Sequence, residues 1–144
     1  MKLSKSARYA LLAAAEMARS RNDDPITVGL VAKRHMIPEN ALAKVFQRLV
    51  HSGLAVGTRG VHGGYRLVRR PAEITVLDVL EVFEPAGQSH AAVNGRPGPP
   101  EALPTVPDSL ARLFDDADEQ LRTCLGALTL EALAAGETAG LRTP

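Results

Sequence analysis

Asn40 and Lys44 stand four residues apart in ENALAKVFQRLV, on the side of an amphipathic helix opposite Val45, Phe46 and Leu49. At a major-groove edge an amide suits adenine and an ammonium suits guanine, each pairing worth about 1–3 kcal/mol of discrimination. Ala43 shares that side and suits a thymine methyl. Arg59 lies between Thr58 and Gly60 in RGVHGGY, where a guanidinium is placed to enter a narrow minor groove with its enhanced negative potential. Gly60, Gly63 and Gly64 permit positive φ and close approach of the backbone to phosphates, or serve as plain hairpin glycines. His62 belongs to the same loop, as a phosphate contact or simply a solvated imidazole, and Tyr65 opens the returning strand. Lys5, Arg8, Lys33, Arg34 and Arg48 read as charges that position a nucleic-acid backbone, some of them merely solvated; Thr27 joins the same surface.

Other chemistries find no residues. His35, His51, His62 and His90 share no metal-ligand spacing. A single cysteine, Cys124, excludes a disulfide within the chain and a multi-cysteine metal site. Asp115, Asp116, Asp118 and Glu119 read as the solvated face of a helix, and Glu16 has no nucleophile to serve. No phosphate-binding loop occurs, so the sequence points away from an enzyme.

The elements that must position these residues follow in order. Ser4 or Ser6 caps a first helix to about Arg19, with Tyr9, Leu12, Ala13 and Met17 on one side. Asn22 to Pro25 is a polar break. Thr27 caps a second helix, Val28 to His35, weakened by Gly29, and Ile37-Pro38 turns the chain. The third helix runs from about Glu39 to Ser52, with Leu42, Val45, Phe46, Leu49 and Val50 as its apolar set. Gly53 stops it in a left-handed conformation. A two-stranded hairpin through Leu54, Val56 and Tyr65 to Leu67 completes a helix-turn-helix with a wing. Thr75 then caps a fourth helix, Val76 to Glu84, with Asp78 placed for a capping box.

Pro85 to Pro107 holds six of the ten prolines together with Gly87, Gly95 and Gly98. It shows no helical or strand period and reads as a loop or linker. A last long helix starts near Asp108. Leu110, Leu113, Phe114, Ala117, Leu121, Leu125 and Leu128 form one apolar seam along it, with Cys124 on that seam as a buried, inert thiol or, across a dimer, a redox pair. Helix 1 alone can cover the seam, or helix 1 and a second copy of the chain. The dimer is the preferred reading, because winged helices commonly read two half-sites. Thr129 caps a short terminal helix.

Charge is divided unevenly. Residues 1–70 carry 13 Lys and Arg against 4 Asp and Glu, a net of +9; residues 71–144 carry 4 against 12, a net of −8. A basic half suits a polyanion, and an acidic remainder limits nonspecific adhesion. With 45% hydrophobic residues, 3% aromatic and no Trp, the core must be built from Leu, Val and Ala. Lys2, Lys5 and Arg8 before Tyr9 to Ala15 imitate a short signal peptide, but Glu16 and Arg19 interrupt it. No run reaches the roughly 20 apolar residues of a membrane span. A cytoplasmic protein without a membrane partner is expected.

Taken together, SKSARYAL, ITVGLVAKRHMIPENALAKVFQRLVHSGLAVGTRGVHGGYRL and RPAEITVLDVLEVFE are similar to the Rrf2 family of bacterial transcription regulators, strongly over residues 1–84, and the TLEAL ending also fits. The RGxxGGYxL wing followed by Pro71 and the ITVLDVLE helix is the specific part. The resemblance implies a mainly α, winged helix-turn-helix homodimer with crossed C-terminal helices. It implies a recognition helix in the major groove through Glu39, Asn40, Ala43 and Lys44, and Arg59 reaching toward the minor groove. Cluster-binding members place three cysteines, or two and a histidine, in the loop after the fourth helix. This chain has only His90 there, so no iron–sulfur cluster or other cofactor is expected. Some members carry an acidic residue in place of Ala43, which implies a different operator.

The expected organisation is a DNA-binding domain over residues 1–84, a Pro/Gly-rich flexible loop over 85–107, a dimerisation helix with a short terminal helix over 108–135, and a tail over 136–144. The expected function is a sequence-specific regulator, acting as a repressor on a near-palindromic operator in double-stranded DNA. The alternatives are a winged-helix module that docks a partner protein, a redox or iron–sulfur sensor with atypical ligands, and sequence-independent chromosomal binding.

Overall fold

A computed structural model describes residues 3–20, 24–85, 92–93, 96–97 and 107–136; His90, most of the Pro/Gly-rich stretch and the 137–144 tail lie outside the described residues. The first helix, α1 (Lys5–Arg19), is capped by Ser4, whose hydroxyl accepts from Ala7 N at 3.1 Å. Its buried side is made of alanines: Ala7, Ala10, Ala13 and Ala14 are all closed off from solvent. Short side chains there let several neighbouring elements approach one helix closely, which a chain poor in aromatics requires. Leu12, expected on the apolar side, is exposed instead, because the alanines and Met17 define a different face.

Two further helices pack on α1 and build the helix-turn-helix: α2 (Val28–His35) and α3 (Glu39–His51). Thr27 caps α2, its hydroxyl accepting from Leu30 N at 3.2 Å. Met36 ends α2 in the left-handed region, with φ +53°. Leu42, Val45, Phe46 and Leu49 face the core at i, i+3, i+4 and i+7; Val50, expected with them, sits at the solvent edge. Gly53, at φ +83°, turns the chain out of α3 as its sequence position predicts.

The wing pairs β1 (Ala55–Thr58) with β2 (Gly64–Leu67), antiparallel, in the register Ala55↔Leu67 to Thr58↔Gly64. It does not stand alone. Ile26, just before α2, exchanges two backbone hydrogen bonds with Tyr65 (2.9 and 2.7 Å), tying the hairpin to the helix-turn-helix. Isolated two-stranded hairpins are marginal in water, so this third partner matters to the wing's rigidity.

A 3-10 turn over Pro71–Glu73 leads to α4 (Val76–Phe83), where the capping box is present in both directions: Asp78 N donates to Thr75 Oγ1 and Thr75 N to Asp78 Oδ2. Within the stretch expected to lack strands, β3 (Ala92–Val93) and β4 (Arg96–Pro97) pair antiparallel, a two-residue pairing too short for a hydrophobic period to reveal. The long helix α5 (Asp108–Ala127) leads to α6 (Leu130–Ala134), capped by Thr129. Leu128 O accepts from Val76 N and Ile74 O from Leu130 N, both at 2.8 Å. Leu130 is fully buried in the same core as Phe46 and Ile74. The terminal helix thus belongs to the DNA-binding core, although the sequence grouped it with the dimerisation helix.

Candidate nucleic-acid interface

The core side of α3 holds the helix rigidly, and its opposite side carries Glu39, Asn40, Lys44, Gln47, Arg48 and His51, all exposed, with Ala43 half-buried. Asn40, Ala43 and Lys44 therefore share one outward stripe, as their spacing predicts. The stripe continues through Gln47 and His51, which the sequence reading passed over; their signal was the same i, i+3/i+4 continuation from Lys44. Glu39 is placed differently from its neighbours. A Cβ on Gly29 would come within 3.8 Å of Glu39 Oε1, so this carboxylate lies against the first turn of α2, where the helix dipole favours an anion.

The wing presents Arg59, Val61 and His62 at its tip, all exposed and Val61 at 97%. Gly63 N donates to Gly60 O at 2.9 Å, closing the tip as a hydrogen-bonded turn. Gly60 has the expected positive φ of +112°. Gly63 does not have a positive φ; it is required because a Cβ there would lie 2.4 Å from Thr58 O. Gly64 combines φ +151° with a Cβ position only 2.5 Å from Ile26 O, so both glycines serve the fold of the wing before any phosphate. Tyr65 is likewise turned inward, its ring 4.8 Å from that of Phe46. Tyr65, expected as a DNA contact, is half-buried and staples the wing to the recognition helix.

Among the outlying cations, Lys5, Arg8 and Lys33 are exposed, and the Lys5 ammonium lies 5.9 Å from the Tyr9 ring centroid. Arg34, read from sequence as a backbone-positioning charge, instead pairs with Glu16, which also accepts from Arg19 at 3.2 Å and meets His35 Nε2 at 3.0 Å. Glu16 is 4% exposed. Burial raises its pKa, but the hydrogen bonds and charges of His35 and Arg34 outweigh that, and the net direction is downward. Arg48 donates through Nη2 to Val82 O at 2.6 Å and stacks 4.2 Å over Phe83. Both partners lie on α4.

The α5 seam divides in two. Leu125 and Leu128 pack on a cluster of Ala7, Val76 and Leu80. Leu110, Leu113, Phe114 and Ala117 are exposed, and Leu121 is half-buried. Helix 1 does not cover this end; it packs against α3, α4 and α6. Cys124, expected as a buried thiol, is exposed in the single chain.

A helix-turn-helix with a cationic wing, backed by one core and exposing a polar recognition stripe, defines a winged-helix DNA-binding protein. Residues 3–136 match the profile of the Rrf2 family, described as "Iron-dependent Transcriptional regulator". A relative from Aquifex aeolicus is 40% identical over 83 residues, covering 58% of this chain and 57% of the relative. The chain thus spans little more than half the length of that curated relative. The HTH-type transcriptional regulator CymR of Bacillus subtilis is 28% identical over 134 residues, covering 93% of this chain and 90% of CymR. The solved structure of that CymR superposes with a TM-score of 0.75 at 27% identity, covering 94% of this chain and 98% of the other. The chain belongs to the Rrf2 family of transcriptional regulators.

The family's description implies iron. Iron–sulfur clusters are held by cysteine thiolates, with histidine as an occasional substitute. This chain has one cysteine, Cys124, on α5, and among the described residues no three of His, Cys, Asp or Glu converge on a common point. These residues do not fit a cluster.

Proposed function

We propose that this chain is a homodimeric, sequence-specific repressor that binds a near-palindromic operator in the cytoplasm and works without a resident iron–sulfur cluster. The observation that carries the reading is the fixed geometry of reader and wing. The Phe46–Tyr65 contact and the Ile26–Tyr65 pairing set the exposed Arg59 at a constant offset from Asn40 and Lys44. With α3 in the major groove, Asn40, Ala43 and Lys44 meet base edges and the wing reaches the adjoining minor groove. The exposed end of the α5 seam supports a two-fold dimer, which would present two readers to two half-sites. Repression then requires only that the operator be occupied.

Selection of bound fragments from a random genomic pool at about physiological salt tests this directly. The expected result is a two-fold-symmetric motif. Motif-free retention that vanishes with added salt would reduce the protein to a cationic surface. On the recovered operator, Arg59→Ala should weaken binding at least tenfold, about 1.4 kcal/mol, with the circular dichroism unchanged; an unaltered affinity would remove the wing from the interface. Lys44→Ala should relax base preference at one position of each half-site, a loss of about 1–3 kcal/mol of discrimination.

A further inference from the structure

The second half of α3 continues the outward stripe of Asn40, Ala43 and Lys44 through the exposed Gln47 and His51. At about 1.5 Å per residue, this 13-residue helix is roughly 20 Å long, whereas the major groove is about 12 Å wide and 8.5 Å deep. If α3 enters the groove at an angle and meets base edges through Asn40, Ala43 and Lys44, its last turns lie nearer the rim, where the sugar–phosphate strand runs. Gln47, Arg48, His51 and Ser52 occupy those turns, and with Lys44 and Val82 they line a single groove of about 450 Å³. No carboxylate is among these six.

Arg48 is already fixed there by Val82 O and the Phe83 ring, and a guanidinium bonded through one N–H keeps four more donors. Gln47 and His51 are exposed and make no side-chain hydrogen bond among the described residues. We propose that Gln47, Arg48 and His51 form a phosphate clamp that grips one DNA strand at the rim of the major groove and fixes the register in which Asn40 and Lys44 read bases. This rests on the DNA-binding reading above. Phosphate contacts set position and carry no sequence information, so loss of the clamp weakens all DNA alike.

The test compares the full chain with its Gln47→Ala/His51→Ala variant, two exposed side chains outside the core, on the selected operator and on a scrambled duplex of equal length at the same salt. The clamp predicts about tenfold weaker binding to both duplexes with their affinity ratio unchanged. A neutral methylphosphonate in place of one rim phosphate should weaken the wild type more than the variant, in which Arg48 alone still meets that phosphate. If the wild type binds its operator and the variant binds as well, the clamp is overturned while the DNA-binding reading stands. A changed affinity ratio overturns the clamp in favour of base contacts. A wild type with no operator overturns both.

Discussion

Glu16 joins α1 to α2 beneath the helix-turn-helix, a carboxylate at 4% exposure facing Arg19, Arg34 and His35. Removing it leaves cationic groups without their counter-charge in a partly buried site. Glu16→Ala should therefore cost about 2–3 kcal/mol in urea unfolding, at the low end for a buried pair because both arginines are half-exposed. The pH dependence follows from the lowered pKa. A carboxylate whose folded value lies below its ordinary 4.5 contributes stability that is fully present above that value and is lost as pH falls through the folded one. The stability gap between wild type and Glu16→Gln should thus stay constant at neutral pH and narrow on acidification below about 4.5; a gap that widens in acid would contradict the lowered pKa. None of this could be read along the chain. Glu16 follows a run of alanines, and its partners at 34 and 35 come from the next helix, so only the packed structure reveals why a charge sits on a buried face. That Asn40 and Lys44 share one outward face was legible because their spacing on one helix needs no tertiary information.

Gly64 shows how one residue controls a whole element. A side chain there meets both an unfavourable φ of +151° and the Ile26 carbonyl at 2.5 Å, whereas Gly60, at φ +112°, opens onto nothing within 4 Å. Gly60→Ala should cost about 1–2 kcal/mol from backbone strain alone. Gly64→Ala should cost more, about 3 kcal/mol or beyond, because Ile26 must also withdraw from Tyr65. Urea midpoints of the two variants test the order; equal losses would mean that the Ile26 pairing does not anchor the wing. The hairpin itself was visible in the glycines, as the helices were in their caps and apolar spacing, since each signal is local. Its third edge was not, and neither was the Thr75–Thr129 bridge that returns α6 to the core. Pairings of one residue across 39 or 54 positions leave no periodic trace in sequence.

The molecule is organised around a compact core of α1, α2, α3, α4 and α6, from which α5 extends with no buried residue of its own. Two apolar side chains near its start, Leu113 and Phe114, are 61% and 62% exposed. An apolar stripe left in water gains about 25 cal/mol per Å² when covered, and the same stripe on a second copy covers it with the symmetry an inverted-repeat operator requires. The double variant Leu113→Asp/Phe114→Asp places two charges in that seam without touching the core. By sedimentation, the wild type should behave at twice the chain mass of 15.3 kDa and the variant at the single-chain mass. Both should keep the same helical circular dichroism, because none of the substituted positions contributes to the buried core. Operator affinity should fall about 100-fold or more, since two linked readers act at a high effective concentration that a monomer lacks. A variant that remains a dimer would place the interface elsewhere on the chain. A monomeric wild type that still binds its operator tightly would mean that one reader, held by its wing and rim contacts, suffices.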